Sequence, residues 1–430
     1  MRAALKKLLL LLIFVSFNSH SGWFDKTVCV ETESLIKDSV IYLPDNPKPF
    51  SGENLCKHEN GKSKSKGLVS EGKKDGGWTN WDERSQVVAE SLFKEGLLVS
   101  QTQYSYYDDG VKSAEVNFKY GKQDGKWTSW TKKAEIEAES YFIDGALISQ
   151  TQYSYHNNSQ IKSKASYNAD GTQEGEYTVW FENGQIEAEQ FFIHGVLDSH
   201  TQYSYYDNGI KSTEANFKNG KFNGQSSIWY ESGQIESQEN FIDDKRNGEF
   251  IVWYENGQVE SQKNFIDDKP NGKSTSWYED GQIWQEVNFI NGKEDGKFTV
   301  WLEDGEMKSE GNFKDGKQNG EFTVWFENGQ TKSVGLYKHG KANGKFSVWY
   351  ESGLIDSERN FIDDKQDSSS LWTYNDKNQL SLKRDFKENS LISQTQYFYS
   401  ESGEVRELSS NYKDGKCVSR SGGCLPYPDE

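Results

Sequence analysis

The 430-residue chain has little of what builds a conventional globular core or a reactive site. It contains six prolines, six histidines, four cysteines and two methionines, and only 33% of its residues are hydrophobic. That hydrophobic share is below the usual one for a soluble domain, which excludes a thick aliphatic core. Aromatic residues make up 14% of the chain. The composition therefore favours a thin sheet that carries large rings, each burying roughly 150–250 Å² when covered.

Positive charge is also scarce, since 49 Lys and Arg face 67 Asp and Glu, for a formal net charge of −18. Phosphate binding needs a basic stripe, so we expect no nucleic-acid partner. Anionic membrane surfaces are disfavoured for the same reason. Solubility is the simple interpretation of the acidity, and cationic partners or divalent ions are the alternative.

The segment 1–21 has the order of a secretory signal. Three cationic residues within 1–7 precede an apolar run at 8–17, and Ser19 and Ser21 offer small residues for cleavage. The run is too short to span a bilayer, so no membrane span is expected. We therefore expect export, to the periplasm, the cell surface or the exterior.

A tryptophan recurs every 24 residues through the centre of the chain, and each opens a phrase such as WYESGQIES or WFENGQTKS. The six are Trp229, Trp253, Trp277, Trp301, Trp325 and Trp349. A strict period predicts a repeat architecture, in which each repeat buries its apolar surface against its neighbours. Steps of 24 or 25 extend this tryptophan position towards the N-terminus. Towards the C-terminus it continues to Trp372 and, after a short insertion, to Tyr399, which gives about fifteen repeats over residues 49–415. The further residues at this position are Cys56, Trp81, Tyr106, Trp130, Tyr155, Trp180, Tyr205, Trp372 and Tyr399.

Alternate repeats in the first half of the chain have longer linkers, such as LVSQTQYSYYDDG and LISQTQYSYHNNS. This double period indicates that those repeats were duplicated as pairs. The central repeats, from Trp229 to Trp349, keep the single period, which indicates later expansion one repeat at a time.

One repeat, residues 248–271, reads GEFIVWYENGQVESQKNFIDDKPN. The β-branched and aromatic run at 250–254 predicts a strand, and Asn256-Gly257 predicts a type I′ hairpin turn before the return strand. The Asp-Asp segment after the return strand is interpreted as a looser turn into the next repeat. The predicted fold is all-β, with about fifteen tandem antiparallel β-hairpins of 24–25 residues in an elongated single-sheet solenoid or meander.

A two-residue turn would fix the strand register and hence the two faces of the sheet. The pairs that it predicts are Tyr254 with Val259, Val252 with Ser261 and Phe250 with Lys263. These residues share the more apolar face with Phe265. Trp253 is expected on the opposite face, with Ile251, Glu260, Gln262 and Asn264.

The regular tryptophans admit two interpretations. Two strands per repeat place successive tryptophans roughly 10 Å apart, too far for direct stacking. In the structural interpretation, the rings cover the stems of neighbouring side chains. In the functional interpretation, the six tryptophans form an exposed ladder that binds a glycan or an extended peptide.

The four cysteines lie at the two ends of the array. In an exported chain, two local pairs predict disulfides, which would protect the open ends of the repeats. The predicted pairs are Cys29–Cys56 and Cys417–Cys424, and free thiols without a role are the alternative. Neither pair has further zinc ligands nearby, so no metal site is predicted.

No group of residues suggests catalysis. The histidines are scattered, with only His194 and His200 close together, and no nucleophile motif surrounds a serine. We therefore expect no enzyme activity, no catalytic residue and no cofactor. Acid pairs such as Asp267-Asp268 recur between repeats; solvated turns are the preferred interpretation and bound calcium is the alternative.

The best copies of the repeat phrase lie at 220–241, 316–337 and 340–361. Their pattern, G-K-x-x-G-x-[FW]-x-x-W-[YF]-x-[ND]-G-Q, is similar to the MORN-repeat variant, and the array resembles bacterial chains of the YwqK-type antitoxin family. The resemblance covers most of residues 49–415. It implies a binding or scaffold module, and the antitoxin label implies a partner protein that is neutralised. The export signal and the terminal cysteines depart from a conventional cytoplasmic antitoxin.

The sequence thus predicts four segments: a signal peptide at 1–21, an N-terminal cap at 22–48, the hairpin array at 49–415 and a C-terminal cap or tail at 416–430. The preferred function is an exported, non-enzymatic scaffold that binds a partner protein along an extended β surface. The alternative is a carbohydrate-binding cell-surface protein that uses the Trp/Tyr ladder.

Overall fold

The computed structural model describes residues 26–420. Strands hold 68% of these described residues and helix 1%, which confirms the predicted all-β class of antiparallel hairpin repeats. The chain divides after Leu197 into two compact units, called here the N-terminal and C-terminal units. The predicted signal peptide and the predicted Cys417–Cys424 pairing involve residues outside the described range.

The N-terminal unit consists of short leading elements followed by six hairpins. From β4 onward, consecutive strands of this unit pair antiparallel. Its elements are β1 (Thr27–Val28), α1 (Val30–Glu33), β2 (Leu35–Lys37), β3 (Val40–Tyr42), β4 (Gly52–Lys57), β5 (Ser63–Ser70), β6 (Lys73–Trp81), β7 (Val87–Lys94), β8 (Leu97–Tyr106), β9 (Lys112–Lys119), β10 (Lys122–Trp130), β11 (Ile136–Ile143), β12 (Ala146–Tyr155), β13 (Ile161–Asn168), β14 (Gln173–Trp180) and β15 (Ile186–Ile193).

The C-terminal unit contains nine hairpins and one further strand, and in three hairpins the first strand is divided into two parts, both of which pair with the preceding return strand. All these pairings are antiparallel. Together with the six of the N-terminal unit, they make the expected fifteen repeats. Its strands are β16 (Val196–Tyr205), β17 (Lys211–Lys218), β18 (Lys221–Phe222), β19 (Gly224–Trp229), β20 (Ile235–Ile242), β21 (Lys245–Trp253), β22 (Val259–Ile266), β23 (Lys269–Pro270), β24 (Gly272–Trp277), β25 (Ile283–Ile290), β26 (Lys293–Trp301), β27 (Met307–Lys314), β28 (Lys317–Gln318), β29 (Gly320–Trp325), β30 (Thr331–Lys338), β31 (Lys341–Trp349), β32 (Ile355–Ile362), β33 (Lys365–Tyr374), β34 (Leu380–Lys387), β35 (Ser390–Tyr399), β36 (Val405–Lys413) and β37 (Lys416–Arg420).

The leading elements cover the apolar face of the first hairpins. Strand β1 pairs parallel with β4, and a disulfide joins Cys29 to Cys56 with a Cα–Cα distance of 4.4 Å. Buried Asn54 accepts a hydrogen bond from the Val30 N–H at 3.0 Å. The resulting hydrophobic cluster consists of Val28, Val30, Ile41, Leu43, Phe50, Val69 and Trp78.

The hairpin register agrees with the prediction in its centre and differs at its tip. Val252 pairs with Ser261, and Phe250 pairs with Lys263, as predicted. The predicted pairing of Tyr254 with Val259 is wrong, because Trp253 takes that partner. The shift arises in the turn, which has one residue more than expected.

The turn inside the hairpin is not type I′. Gly257 donates its N–H to the Tyr254 carbonyl at 2.9 Å, and Tyr254 donates to the Gln258 carbonyl at 2.8 Å. Only Gly257 has a left-handed φ, of +86°, while Asn256 does not. These bonds define a three-residue loop closed by a glycine bulge. Asn256 stabilises it, because its Oδ1 accepts the Gln258 N–H at 2.8 Å.

The tight turn lies between hairpins instead, where the sequence suggested a looser segment. Ile266 pairs with Lys269 across Asp267 and Asp268, whose φ values are 48° and 64°. Two left-handed residues are what a type I′ turn requires, and Asp tolerates that conformation better than most residues. Asp268 Oδ1 also accepts the Arg246 N–H at 2.8 Å, so the turn is tied to the preceding repeat.

Two residues assigned to the tryptophan position are corrected by the register. In the first hairpin Lys57, not Cys56, pairs with the residue that opens the return strand. In the penultimate hairpin Tyr374, not Trp372, has this role and pairs with Leu380. Both errors have the same cause. The positions were assigned by counting residues from neighbouring tryptophans, and such counting cannot detect a change of one or two residues in strand length.

The hairpins are of two kinds, and the longer linkers predicted in alternate repeats are in fact strand. Long hairpins begin with a ten-residue strand such as β8. Short hairpins have a bulge near the start of the first strand, with a glycine such as Gly248 at a φ of +107°. Asn240 of the preceding strand fills this bulge by donating to the Glu249 carbonyl at 3.0 Å.

Candidate binding surfaces

The six predicted ladder tryptophans are all partly buried, and none has its ring more than half exposed. A ladder that stacks on a ligand would need a row of rings more than half exposed, and these tryptophans do not provide one. No ring–ring contact within the described residues joins one of these tryptophans to another. Their backbone carbonyls have a clear structural role, since several accept a hydrogen bond from the preceding repeat.

We call this hydrogen bond the turn clamp. Its donor is the side chain of the residue that directly follows the tryptophan position, and its acceptor is the backbone carbonyl of the tryptophan position in the next repeat. The Tyr230 hydroxyl donates to the Trp253 carbonyl at 2.7 Å. The other tyrosine clamps are Tyr107 to Trp130, Tyr206 to Trp229, Tyr254 to Trp277 and Tyr278 to Trp301, at 2.6–2.9 Å. His58 and His156 bond the Trp81 and Trp180 carbonyls through Nε2 at 2.8 and 2.7 Å. Two of the scattered histidines are therefore structural.

The long hairpins place a second network on the tryptophan face. Lys112 Nζ lies 4.6 Å from the Tyr104 ring centroid and 5.3 Å from that of Trp130, and it forms a 3.1 Å ion pair with Glu115. Burial and a hydrogen bond to Glu90 raise the pKa of Tyr104 to about 12. The ring faces here are occupied by the protein's own cations.

The opposite face of the C-terminal unit carries a continuous aromatic row that the tryptophan period did not reveal. We call it the Phe row, and it consists of Phe298, Phe313, Phe322, Tyr337, Phe346 and Phe361. Five ring contacts with centroids 5.1–6.3 Å apart, mostly edge to face, join these six rings, and Phe298 contacts both Phe313 and Phe322. All six rings are partly buried. The strands that carry these rings lie side by side in the sheet, each next to the strand before it and the strand after it in the chain.

Two glycines make this row possible. A Cβ at Gly311 would lie 2.1 Å from the Phe322 ring, and one at Gly335 would lie 2.2 Å from the Phe346 ring. The rings therefore lie directly on the strand backbone. Phe250 differs, because it pairs with Glu239 and Lys263 instead of glycine. The Arg246 guanidinium also lies 5.6 Å from the Phe250 ring.

The turn edge of the C-terminal unit contains a shallow groove of about 640 Å³ beside Trp349 and Tyr350. A smaller groove of about 410 Å³ lies beside Tyr278 and Leu302. Both lie near repeats in which the turn clamp is missing, since the side chains of Leu302 and Phe326 have no hydrogen-bond donor.

The residues considered for metals do not converge. Within residues 26–420, no group of three or more His, Cys, Asp or Glu is placed to hold a metal ion. His194 lies 3.6 Å from Glu174, while His200 stacks on Phe217 with centroids 4.3 Å apart. The acid-pair turn at Asp267-Asp268 uses the second carboxylate to accept a backbone N–H.

A sequence signal for the Phe row did exist. Phe298, Phe322 and Phe346 recur every 24 residues, as do Phe313, Tyr337 and Phe361. The position of Phe322 holds Trp, Tyr, Gln, Ser or Leu in many other repeats, so the tryptophan period masked the row. The groove beside Trp349 had no such signal, since it depends on two repeats of different length.

Within the described part of the chain, no helix combines the length and apolar character that crossing a membrane requires. The structure is similar to part of a TcdB2-TccC3-TEV crystal structure, with 11% identity and a TM-score of 0.23. A Tc holotoxin pore from Photorhabdus luminescens gives 12% identity and a TM-score of 0.24. These alignments cover 86% and 85% of this chain but only 22% of each of those chains.

A porin-like protein from Bacteroides uniformis aligns over 61% of this chain and 95% of its own, at 9% identity and a TM-score of 0.14. TM-scores this low carry no argument about fold or function. No curated protein matches the chain. A family model does match six of its segments, which are 173–194, 222–243, 246–267, 270–291, 294–315 and 318–339. These six segments match the MORN repeat variant, as the repeat phrase predicted.

Proposed function

We propose that the protein is a non-enzymatic scaffold that binds a partner protein through the Phe row of its C-terminal unit. The observation that carries this proposal is the continuity of the six rings from Phe298 to Phe361, at 5.1–6.3 Å spacing. Contiguous and partly exposed apolar surface of this kind is typical of protein interfaces, whose centres are rich in aromatic residues.

The charge pattern supports the same surface. At Gly311 and Gly335 the row is flanked by glycine, whereas Phe250 has Glu239, Lys263 and Arg246 around it. Removing charges from the centre of an apolar patch lowers the cost of desolvating it on binding. The middle of the row, around Gly311 and Gly335, is thus better suited to a partner than the hairpin of Phe250, while Arg359 pairs with Phe346 at the far end of the row.

Export is a further part of the proposal. It is supported by the signal-like segment at 1–21 and by the Cys29–Cys56 disulfide, since disulfides persist in oxidising compartments. An antitoxin-like role, in which the partner is a harmful protein held inactive, is the specific form that the sequence resemblance implies.

The test compares two substitutions at equivalent positions. The partner is recovered by crosslinking in envelope extract and purified, and its Kd is measured for the wild type, Phe322→Gln and Phe250→Gln. Glutamine is chosen because Gln103 and Gln152 occupy this position in long hairpins. We expect Phe322→Gln to weaken binding at least about tenfold, as loss of a central aromatic anchor does, and Phe250→Gln to stay within about twofold.

Circular dichroism and thermal melting of both variants control for folding. If the two variants bind equally well, or if Phe250→Gln loses more, the Phe row is not the binding surface and the proposal is wrong.

A further inference from the structure

The groove beside Trp349 lies where the last short hairpin meets the long hairpin that begins with β33. Aromatic rings form much of its wall: Phe326, Trp349, Tyr350 and Tyr374. Tyr350 and Tyr374 meet edge to face at 6.3 Å, and Tyr350 is 45% exposed. The groove thus exposes ring surface that most other repeats cover.

The interrupted turn clamp explains why the groove is open. Phe326 occupies the position from which Tyr230 and Tyr254 reach the next repeat, and it has no hydroxyl to donate. Tyr350 does carry a hydroxyl, but its hydrogen bond is to Asp356 of its own hairpin, and that bond raises the pKa of Tyr350. Neither ring is therefore drawn across the space between the repeats.

The walls are held in place by the neighbouring turns. Asn328 Nδ2 donates to the Glu351 backbone carbonyl at 3.2 Å, and this bond fixes the turn that carries the Glu351 side chain. On the other side, Asn375 Oδ1 accepts the N–H groups of Lys377 and Gln379 at 3.0 and 2.9 Å. The groove is preformed, which reduces the entropy lost when a ligand is ordered in it.

The chemistry of the walls selects for a cation. Exposed ring faces attract ammonium and guanidinium groups, and the Glu351 carboxylate at the rim adds an opposite charge. The Lys332 ammonium lies 5.4 Å from the Phe326 ring centroid, so that ring already has a cation, and the ring open to a ligand is that of Tyr350. A planar guanidinium can stack on a ring while it donates to a carboxylate, which an ammonium does less well.

We propose that this groove is a subsite for an arginine side chain of the partner protein. The inference rests on the proposed function, because it assigns a basic residue to the partner that binds the Phe row. Phe346 of that row and Trp349 of the groove lie on opposite faces of the same strand, β31, so a partner that contacts both must extend around the turn edge at which the groove lies.

The groove beside Leu302 provides an internal comparison. It is lined by Tyr278, Leu302, Glu303, Asp304 and Glu327, and so has three carboxylates but only one ring. General attraction to an acidic surface would act at both grooves. Recognition by rings together with a carboxylate would act at the groove beside Trp349 alone.

The test uses the full chain and acetyl-Gly-Arg-Gly-amide as the probe, so it needs no partner. Leucine methyl groups are labelled, and their NMR shifts are followed during titration at physiological salt. We expect saturable shifts at Leu354 and none at Leu302. We expect Glu351→Gln to weaken the affinity at least about fivefold, and Glu255→Gln, at the same turn position of a clamped repeat, to change it less than about twofold.

Three results would overturn the inference: no shift at Leu354, equal shifts at Leu302 and Leu354, or equal losses in the two Glu variants. The Phe322→Gln variant separates this inference from the proposed function. It should still bind the peptide with unchanged affinity, whatever happens to its affinity for the partner protein.

Discussion

The two units use the same hairpin but differ in how its apolar face is organised. In the N-terminal unit, rings form separate pairs, Trp78 with Phe93, Trp127 with Phe142 and Tyr177 with Phe192. Long hairpins separate these pairs and put glutamines in the equivalent places, such as Gln103, which donates to Gln101 at 2.7 Å. In the C-terminal unit, consecutive short hairpins join their rings into the Phe row.

The difference shows that the row needs adjacent short hairpins that also carry an aromatic residue at the position of Phe298, where Ser226 and Ser274 stand in two other short hairpins. A repeat array is stabilised by nearest-neighbour contacts, so rings join only where adjacent strands both carry them, as Phe217 of a long hairpin and Phe222 of the next short one do at 4.4 Å. The N-terminal unit also has part of its apolar face covered by the segment tied through Cys29–Cys56. Binding capacity should therefore lie in the C-terminal unit.

Removing the Cys29–Cys56 disulfide should cause the largest loss of stability, and this loss should be confined to the N-terminal unit. The bond closes a loop with a sequence separation of 27 residues. Cys29→Ala/Cys56→Ala should cost about 3 kcal/mol in local stability through lost loop-closure entropy. Hydrogen exchange would show this as faster exchange at Val69 and unchanged exchange at Phe322. Equal acceleration at both residues would contradict the account.

Replacing a bulge glycine should break the short hairpins but not the long ones. Gly344 has a φ of +119°, and a Cβ there would lie 3.1 Å from Leu336. Gly344→Val should destabilise β31 by about 2 kcal/mol because this backbone conformation is strained for any residue with a branched side chain. Val99 is the extra residue of a long hairpin and has no left-handed φ.

The control Val99→Thr should therefore stay within about 0.5 kcal/mol by hydrogen exchange. A loss at Val99 as large as that at Gly344 would mean that the two kinds of hairpin do not differ in the way described.

The turn clamps should give smaller, opposite changes at matched positions. Tyr230→Phe removes the hydroxyl that bonds the Trp253 carbonyl and should cost about 1 kcal/mol. Phe326→Tyr would supply the missing donor near Trp349 and should stabilise that repeat by about 0.5–1 kcal/mol. Thermal unfolding with local hydrogen exchange would measure both. If Phe326→Tyr destabilised the protein, a tyrosine at this position would not form the turn clamp in this repeat.

His200 should give the smallest effect, one that depends on pH. Burial lowers the pKa of His200 below its usual value of 6.5, so the unfolded chain binds the proton more readily than the folded one. Stability is therefore full above about pH 6.5 and falls as the pH drops below it. The variant His200→Gln carries the residue that Gln101 provides at the equivalent position of another long hairpin. It should lose less stability than the wild type between pH 7 and pH 5. Equal losses in the two proteins would exclude this contribution.

The sequence was sufficient for the fold class, the number of repeats and the pairing of Val252 with Ser261, because a strict period and a two-residue side-chain alternation leave few choices. It misplaced the tight turn, since both Asn-Gly and Asp-Asp can adopt left-handed backbone, and only the hydrogen bonds distinguish them. The continuity of the Phe row was missed because the position of Phe298 holds Ser226 and Ser274 in two of the central repeats, whereas all six central tryptophans are kept. The groove beside Trp349 depends on contacts between repeats, which the phrase of a single repeat does not contain.

The most direct test of the central claim uses two neighbouring residues on opposite faces of one strand. Val324 shares the face of the Phe row, and Thr323 lies on the tryptophan face. A photocrosslinking benzoylphenylalanine is placed at either position, and crosslinked partner is measured in intact cells. The account predicts efficient crosslinking from position 324 and little from position 323. Crosslinking mainly from position 323 would contradict it.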